Sequence, residues 1–420
     1  MIEVNTKKVE TAILIGVSNR FISPEEVMFS LDELERLVST AGGETIQKVV
    51  QNRERIDSAF FIGKGKAEYI AEICNEKNVD IVVFDDDLSP VQVRNLENLT
   101  NRKVLDRSSV ILDIFASHAR TTEAKTQVEL AQLEYLLPRL TRRWTHFSKQ
   151  YGGIGTKGPG ETQIETDRRL IKKKISYLKE KLRQIKQQKE IQRKQRSNLP
   201  RLALVGYTNA GKSTLMNLIT GANVITENKL FSTLDTTVRK VTLSPSREFL
   251  ISDTVGFIKK LPHHLIVSFL TTLSEAVESD ILIHVIDISD PMVDENIKVV
   301  NETLKELNCD SKPIIMVFNK IDLLKDRELI TYYKQKYINS VFISAVRSIN
   351  INSFIEQIFS MLNLHLKEYT LFLKLDEQKL LSMIYNTAKV INIDYDENGI
   401  RITFLASEIN YNNIIKFLGK

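Results

Sequence analysis

The chain has 420 residues, 42% apolar and 7% aromatic, with 58 Lys and Arg against 53 Asp and Glu, a composition typical of a globular protein of two to four domains. No apolar run approaches the roughly 20 residues of a membrane-spanning helix, and residues 1–5 lack the basic and apolar parts of a signal peptide. Cys74 and Cys309 have no CxxC spacing, and the six histidines have no zinc-ligand spacing. We therefore expect buried thiols, no zinc site and a cytoplasmic location.

Residues 1–120 alternate between apolar strands and amphipathic helices. Residues 11–18 form a predicted buried strand, and Ser23-Pro24-Glu25-Glu26 opens a helix with a cap, an early proline and early acids. Gly42-Gly43 ends that helix, and two further predicted strands, 46–50 and 80–84, flank a helix at 67–76. This alternation predicts a small α/β domain with a parallel sheet.

Two motifs in this domain have more than one interpretation. Gly63-Lys64-Gly65-Lys66 has the composition of a phosphate-binding turn but lacks the spacing of a nucleotide motif, so we favour a simple turn and leave a second nucleotide site open. Asp85-Asp86-Asp87 offers cation ligands, but three consecutive side chains at a strand end do not converge on one ion. We favour a helix cap before Ser89-Pro90.

Residues 121–198 have a long helical pattern, which begins near Glu123, is interrupted at Pro138 and resumes from about 166 to 197. The second helix is strongly basic: residues 168–196 contain thirteen Lys and Arg against Glu180 and Glu190. Apolar residues recur along both helices, which predicts an antiparallel helical hairpin with one packed face and one basic face. The apolar residues are Val128, Leu130, Leu133, Leu136, Leu137, Leu170, Ile171, Ile175, Leu178, Leu182, Ile185 and Ile191.

The predicted tip of this hairpin, residues 144–165, is rich in glycine and also contains Trp144, Phe147 and Tyr151. Glycines permit close approach of the backbone to an irregular surface, and aromatic rings can stack on bases. Together with the basic helix, this composition indicates an RNA partner. A flexible connector beside a solvated helix face is the alternative.

A phosphate-binding loop lies between the apolar run 202–205 and the next helical pattern. Gly206 and Gly211 have the spacing at which backbone N–H groups surround a di- or triphosphate, and the following lysine and serine can contact the β- and γ-phosphates and Mg²⁺. The predicted nucleotide contacts here are Gly206, Tyr207, Thr208, Asn209, Ala210, Gly211, Lys212, Ser213 and Thr214.

Three later motifs, each after a predicted strand, complete the predicted site, and two of them determine the base. Asp253-Thr254-Val255-Gly256 places a carboxylate near Mg²⁺ and the Gly256 N–H near the γ-phosphate. In Asn319-Lys320-Ile321-Asp322, the Asp322 carboxylate can accept both N1–H and N2–H of guanine, a donor pair that adenine lacks. Ser344-Ala345 can supply a backbone N–H to guanine O6. The order of the motifs predicts a GTP-specific site.

These motifs resemble those of the translation-factor-related GTPases, and the chain as a whole resembles the HflX family of ribosome-binding GTPases. The resemblance extends to residues 106–115, 127–133, 158–169 and 231–237, of which 158–169 is the most specific. It implies that the N-terminal part docks on the large ribosomal subunit, with the hairpin loop near ribosomal RNA of the peptidyl-transferase region. Members resemble factors that dissociate stalled or idle ribosomes, and some resemble proteins of antibiotic resistance.

The residues expected to act in hydrolysis are Lys212, Thr233 and Gly256, with Ser213, Thr233 and Asp253 around Mg²⁺. Thr236 and Thr237 are alternatives to Thr233 as the switch threonine, and His263 and His264 are left unassigned. Phe257 stands where Ras-like enzymes have a glutamine that orients water, so we expect slow turnover that the ribosome stimulates. Alternatively, Phe257 only packs and another side chain of the chain positions the water.

The resulting fold class is α/β, with an N-terminal α/β domain (1–120), a helical hairpin (121–198), a central P-loop GTPase domain (199–366) and a small C-terminal α/β domain (367–420). We expect a monomeric, Mg²⁺-dependent GTPase that dissociates ribosomes in stress or antibiotic resistance. A GTP-gated ribosome-assembly or RNA-binding factor without splitting activity is the second hypothesis. An ATP-driven RNA remodeller is the third, but no complete ATP motif precedes residue 120.

Overall fold

The computed structural model describes residues 9–143, 159–194, 199–221, 230–231, 236–244, 247–260, 274–363, 367–374, 377–396, 399–406 and 408–418. The chain divides into two units. The first contains Met1–Glu190 together with the short segments Glu227–Asp235 and Ile258–Thr272. The second contains Ile191–Thr226, Thr236–Phe257 and Leu273–Lys420. The four domain boundaries drawn from the sequence stay predictions.

A four-stranded parallel sheet forms the centre of the first unit, in the order β2-β1-β3-β4, which confirms the predicted parallel sheet. Its strands are β1 (Thr11–Ser18), β2 (Glu44–Asn52), β3 (Ile81–Phe84) and β4 (Lys103–Asp106). Strands covered on both faces read as continuous apolar runs, and every residue of β3 is buried. The helices between them are α1 (Pro24–Ala41), α2 (Lys64–Glu76) and α3 (Pro90–Thr100), and α4 (Arg107–His118) follows β4.

Local sequence determines where these helices begin. Ser23 and Ser89 cap α1 and α3, each with a reciprocal bond from the third helical residue and a proline in the first turn. The favoured interpretation of Asp85-Asp86-Asp87 as a cap was therefore wrong, because Ser89 already satisfies the first N–H groups of α3. Asp85 and Asp87 instead bond side chains of other elements: Arg107 donates to Asp85 and the Ser108 hydroxyl to Asp87.

A buried charge cluster surrounds Arg107 in the first unit. Arg107 Nη1 lies 2.7 Å from Asp85 Oδ1, and Arg107 Nη2 bonds Glu33. Lys260, from the segment Ile258–Thr272 of this unit, lies 2.6 Å from both Asp85 Oδ2 and Asp86 Oδ1. Burial opposes ionisation of Asp85, but the charges of Arg107 and Lys260 outweigh it and lower the pKa of this carboxyl.

Two long helices follow, α5 (Thr122–Arg143) and α6 (Pro159–Lys194). Leu130, Ile175 and Leu178 form their buried contact, flanked by Leu133, Leu137, Ile171 and Leu182. The predicted seam was wrong at Leu136 and Leu170, which are 44% and 57% exposed. The antiparallel direction of the hairpin stays a prediction.

The ends of these helices correct two expectations. Pro138 lies inside α5 and does not end it, since five more residues follow in the helix. α6 begins at Pro159, so residues 159–165 of the predicted tip loop are helical. Proline is favourable in the first turn of a helix, which explains this earlier start. The rest of the tip, residues 144–158, lies outside the described residues.

Polar contacts attach α5 to the start of α4. Asp106 caps α4 by accepting from Ser109 N, and its carboxylate also accepts from the Tyr135 hydroxyl at 2.7 Å and from Arg139 Nη2 at 2.8 Å. Burial and the neighbouring Asp106 charge raise the pKa of Tyr135, which stays a neutral donor. One buried carboxylate thus connects two helices.

The second unit contains a six-stranded sheet in the order β10-β9-β8-β5-β7-β6, parallel except for the edge strand β6. Its strands are β5 (Arg201–Val205), β6 (Thr237–Ser244), β7 (Arg247–Asp253), β8 (Ile281–Asp287), β9 (Ile314–Asn319) and β10 (Ser340–Phe342). The helices are α7 (Lys212–Thr220), α8 (Ser274–Glu278), α9 (Val293–Glu306), α10 (Glu328–Lys336) and α11 (Ile351–Asn363), with a short 3-10 helix at Ile321–Leu323.

A small antiparallel sheet ends this unit, in the order β11-β13-β12. Its elements are β11 (Lys367–Leu373), α12 (Gln378–Thr387), β12 (Lys389–Asp396), β13 (Gly399–Ala406) and α13 (Glu408–Leu418). Alternate residues of β13 are buried together with Leu380, Ile384 and Ile414 of the helices. These alternating strands and helices agree with the α/β class predicted for this part of the chain.

Candidate functional site

The carboxyl ends of adjacent strands place the predicted site residues along one edge of the six-stranded sheet. β5 ends at Val205 and leads through the loop 206–211 into α7, while Asp253 and Asn319 are the last residues of β7 and β9. Open parallel sheets bind ligands at this edge because loops and helix N-termini converge there. The fold therefore collects motifs that lie more than 100 residues apart in the sequence.

Lys212 is buried in the loop that it closes. Its Nζ donates to the backbone oxygens of Gly206, at 3.0 Å, and Tyr207, at 2.8 Å. Burial lowers the pKa of Lys212 to about 8, while the nearby Asp253 charge acts in the opposite direction. A phosphate group beside this ammonium favours its charged form, so Lys212 is suited to an anionic ligand.

Asn319 holds three motifs together. Its Nδ2 donates to Ala210 O at 2.9 Å, and its Oδ1 accepts from Ala345 N at 2.9 Å. Gly211 has φ +96°, and a Cβ there would lie 2.2 Å from Asn319 Nδ2. Both the left-handed backbone and the close approach require glycine at this position. The phosphate loop and the two base motifs are thus positioned by one amide.

Ser213 and Asp253 meet at the loop. The Ser213 hydroxyl donates to Asp253 Oδ2 at 2.7 Å. Thr254, which follows Asp253, donates its own hydroxyl to Leu204 O of the neighbouring strand at 2.6 Å and is fully buried. This bond fixes the backbone beside Asp253, so two oxygen ligands of the kind that Mg²⁺ prefers lie adjacent at the end of β7.

Gly256 and Phe257 lie directly against the phosphate loop. A Cβ on Gly256 would lie 3.0 Å from Lys212 Nζ. Phe257 N donates to Gly206 O at 3.1 Å, and its own oxygen accepts from Thr208 N at 2.8 Å. The Phe257 ring is 1% exposed and packs in a core with Ala203 and Val205. The ring therefore packs in the core, and both interpretations of how the water is positioned stay predictions.

The two base-recognition motifs offer one exposed side chain and two backbone N–H groups that already have acceptors. Asp322 is exposed on the short 3-10 helix, where a base could reach it. The N–H groups of Ser344 and Ala345 donate to Ile349 O and Asn319 Oδ1. Their proposed bond to guanine O6 thus competes with bonds inside the protein, and it stays a prediction.

The remaining predicted residues are placed as follows. Asn209 is exposed with φ +61°, and Thr214 is half-buried in the first turn of α7. Thr233 lies outside the described residues, as do His263 and His264. Of its alternatives, Thr236 is half-buried just before β6, and Thr237 is the first residue of β6. Cys74 and Cys309 are buried free thiols, as expected.

Sequence reasoning missed two residues near the site. Asp287 is the last residue of β8, and its Oδ2 lies 2.6 Å from Lys320 Nζ. His284 is fully buried on the same strand, beside Val205. The signal for Asp287 was an acidic residue at the end of an apolar strand, but only the strand order places it beside Asn319.

Comparisons with known proteins identify the family. The sequence matches three family profiles: "GTP-binding GTPase N-terminal" over residues 29–116, "GTP-binding GTPase Middle Region" over 118–196 and "50S ribosome-binding GTPase" over 201–320. GTPase HflX of Flavobacterium psychrophilum is 46% identical over 86% of this chain and 92% of its own length. GTPase HflX of Escherichia coli is 42% identical over 93% and 92%. The chain belongs to the HflX family of GTPases.

As an HflX-family protein, the chain is a GTP hydrolase, and its P-loop domain is the part that matches the GTPase profile. The crystal structure of SsGBP in its complex with GDP is also similar, with 27% identity, a TM-score of 0.49 and coverage of 84% of this chain and 98% of that one. None of the helices in the described ranges combines the length and apolarity that a membrane crossing requires.

Proposed function

We propose that this GTPase binds the large ribosomal subunit and, in its GTP state, dissociates stalled or idle ribosomes, acting as a cytoplasmic monomer. The observation that carries the proposal is the exposed basic face of α6 in a chain that also contains a guanine-nucleotide site. The face consists of Arg168, Arg169, Lys172, Lys173, Lys174, Lys179, Arg183 and Lys186, all exposed. A surface of this kind tracks the phosphates of a folded RNA.

Acidic residues partly occupy that face from within the chain. Lys174 and Lys179 lie 3.1 Å and 2.8 Å from Glu129 and Glu134 of α5, while Lys172 and Lys173 form none of the ion pairs found in the described ranges. Exposed ion pairs contribute only about 0–1 kcal/mol, so polyphosphate can displace them. Lys172 and Lys173 are therefore the proposed primary RNA contacts.

We further propose that the tip of the hairpin contacts ribosomal RNA near the peptidyl-transferase region. Its glycines and aromatic residues, and the resemblance of residues 158–169 to the family, support this placement. Residues 144–158 lie outside the described part of the chain.

The oxygen ligands at the nucleotide site fit Mg²⁺. Ser213 Oγ and Asp253 Oδ2, which lie 2.7 Å apart, would hold the ion, with Thr233 as the proposed third ligand. When bound with GTP, Mg²⁺ neutralises charge that develops on the β- and γ-phosphates. Lys212 binds the same phosphates, and the Gly256 N–H donates to the γ-phosphate.

Hydrolysis by the isolated protein should be slow. The Phe257 ring lies in the core and carries no group that can orient water. Ribosome binding would then stimulate turnover by ordering residues near the γ-phosphate. Comparing turnover with and without large subunits measures this stimulation, and equal rates would contradict it.

Sedimentation of intact ribosomes tests the central proposal. With the protein and a non-hydrolysable GTP analogue, the ribosome peak should decrease while subunit peaks increase. Lys212→Ala is the matched control, because it removes a phosphate contact and leaves the basic face intact. The function is wrong if the wild-type protein binds large subunits but leaves ribosomes whole under all nucleotide conditions.

That last outcome would favour the second hypothesis, a GTP-gated assembly factor or RNA-binding factor without splitting activity. The basic face and the nucleotide site support both hypotheses equally. Binding to immature large-subunit particles in preference to mature ones would distinguish the assembly factor. Neither measurement depends on whether the physiological setting is stress or antibiotic resistance.

A further inference from the structure

An ion pair links the guanine motif to the neighbouring strand. Lys320 Nζ lies 2.6 Å from Asp287 Oδ2, and the two side chains are only 22% and 19% exposed. Lys320 follows Asn319, which binds the phosphate loop, and precedes Asp322, the predicted guanine ligand. The pair therefore lies beside the predicted base site and is more sheltered than an ordinary surface ion pair.

The Asp287 carboxylate is fixed by its own turn. Its Oδ1 accepts from Ser289 N at 3.0 Å and from Ser289 Oγ at 2.6 Å. Asp287 is also the register partner of Asn319 in the parallel pair β8 and β9, and Ile288 N donates to Asn319 O at 3.1 Å. The carboxylate therefore has a set position relative to the guanine motif.

Lys320 is restrained by two features, its position at the end of the strand and its ion pair with Asp287. Its backbone has φ +67° and ψ +32°, a left-handed conformation that is uncommon for residues other than glycine, asparagine and aspartate. Its side chain has four rotatable bonds and loses much conformational entropy when it is held in one place. The bond to Asp287 restrains Nζ while the strand end restrains the backbone, so the lysine is ordered at both ends.

We propose that Asp287 is a positioning residue for nucleotide binding: it holds Lys320 in the geometry that the guanine nucleotide requires. The proposal rests on the assignment of Asn319, Lys320 and Asp322 to the base site. A ligand that meets an already ordered lysine does not have to order it on binding, and its affinity rises accordingly. Because the pair lies on the base side of the predicted site, it should raise the affinities for GDP and GTP equally.

Asp287→Asn removes the charge but keeps a similar shape and an oxygen that can still accept from Ser289. We expect the dissociation constants of GDP and GTP each to rise about tenfold, the loss of one well-placed charged hydrogen bond, with kcat within about twofold of wild type. This is a change in KM without a change in kcat, which general damage to the domain would not produce.

A double-mutant cycle with Lys320→Ala separates positioning from any direct role. If Asp287 acts through Lys320, Asp287→Asn should have no further effect in the Lys320→Ala background. An equal loss of affinity in both backgrounds would overturn the proposal. Ser289→Ala removes the hydroxyl that donates to the Asp287 carboxylate, and it should raise the dissociation constant of GDP about threefold. It provides a second variant if Asp287→Asn does not fold.

Asp290→Asn is the matched control, because Asp290 lies in the same turn and its Oδ1 accepts only the local bond from Met292 N, at 2.9 Å, among the described contacts. Its GDP affinity should stay within about twofold of wild type. If Lys320→Ala leaves GDP affinity unchanged, the base-site assignment itself is wrong. If Lys320→Ala weakens GDP binding but Asp287→Asn does not, only the positioning role of Asp287 is overturned.

Discussion

Among single residues, Asp322 is the proposed determinant of the base. Its exposed carboxylate could accept from both N1–H and N2–H of guanine, whereas the amide of Asp322→Asn would present a donor to the N2 amino group. We expect GTP binding to weaken by about 2–3 kcal/mol and preference to move toward xanthosine nucleotides. Titration with labelled GDP and XDP measures the shift. Unchanged GTP affinity would remove Asp322 from the site.

His284 predicts a pH dependence of stability. Burial, and then the charge of Lys212, lower the pKa of His284 to about 3, and its Nδ1 has no hydrogen-bond partner among the described residues. Below pH 6.5 the unfolded chain binds a proton that the folded chain excludes, so this residue reduces stability as pH falls from about 6.5 toward 3. The loss should amount to about 2–3 kcal/mol between pH 6.5 and 4.5.

His284→Met removes the titrating group and keeps an apolar side chain. The transition to follow in thermal unfolding is the one whose midpoint changes when GDP is added. In the variant, this midpoint should fall less steeply as pH is lowered, so the variant should become more stable relative to the wild type as the solution is acidified. Parallel curves for the two proteins would contradict the prediction. At pH 7.5, where neither state binds the proton, this linkage contributes nothing.

The site residues that the sequence could predict are those whose chemistry is local. The phosphate loop follows from spacing alone, since strand, loop and helix are consecutive, and Lys212, Ser213 and Asp253 are found together as expected. The positions of Asp287 and His284 near the site depend on which strands are neighbours in the sheet. A local sequence pattern does not contain that information. The core position of the Phe257 ring likewise depends on the packing of distant residues.

At the scale of the elements, helix and strand order was predictable but helix ends were less so. The cap of α1 was found because Ser23 and Glu26 form a reciprocal bond within four residues. Pro138 was expected to interrupt α5, yet the helix continues past it, with Leu137 packed against α6 and Arg139 bonded to Asp106. Pro159 starts α6, an option that the glycines around it obscured.

The charge cluster of the first unit predicts that replacing Arg107, at the start of α4, strongly lowers stability. Arg107→Met would leave the buried Asp85 and the partly exposed Glu33 without the cation they share, and Asp85 with only Lys260, so we expect a loss of about 3–5 kcal/mol. Because the folded-state pKa of Asp85 is lowered, its contribution is present at neutral pH and is lost as pH falls through that value. Chemical denaturation measures both effects, in the unfolding transition whose midpoint does not change when GDP is added.

Lys64→Met is the control for this prediction. Its ion pair with Glu68 is solvent-exposed at 73% and 51%, so the variant should change stability by no more than about 0.5 kcal/mol. Adding Asp85→Asn to Arg107→Met should recover part of the loss, because Asp85 would otherwise keep only Lys260 as a cation. If Arg107→Met matches Lys64→Met, the cluster does not stabilise the fold.

At the scale of the whole molecule, charge is divided unevenly. The chain has a net charge of +5, yet residues 168–196 alone carry +11, so the rest of the protein is acidic. A generally basic protein would bind RNA through many surfaces, whereas this one should bind through α6. Binding of large subunits should therefore weaken steeply with salt, because each neutralised phosphate releases condensed cations.

Reversing the charge of Lys172 and Lys173 together tests this dependence. On a plot of log affinity against log salt, the slope should flatten by about 1.5–2, since two phosphate contacts are lost. The control is Lys298→Glu with Lys305→Glu, two exposed lysines on α9 in the second unit. The control pair should leave the slope unchanged; an equal flattening would show a non-specific charge effect.

Deleting residues 152–157, which leaves Pro159 to start α6, should separate binding from function. The variant keeps the residues of the nucleotide site and the basic face, so GTP affinity and the salt-dependent part of large-subunit binding should persist. Ribosome dissociation and ribosome-stimulated hydrolysis should fall at least about tenfold, because the tip is proposed to set the docked geometry in which the γ-phosphate site is completed. Sedimentation and phosphate-release assays on one preparation measure both. A deletion variant that separates subunits at the wild-type rate would show that these residues only connect the two helices.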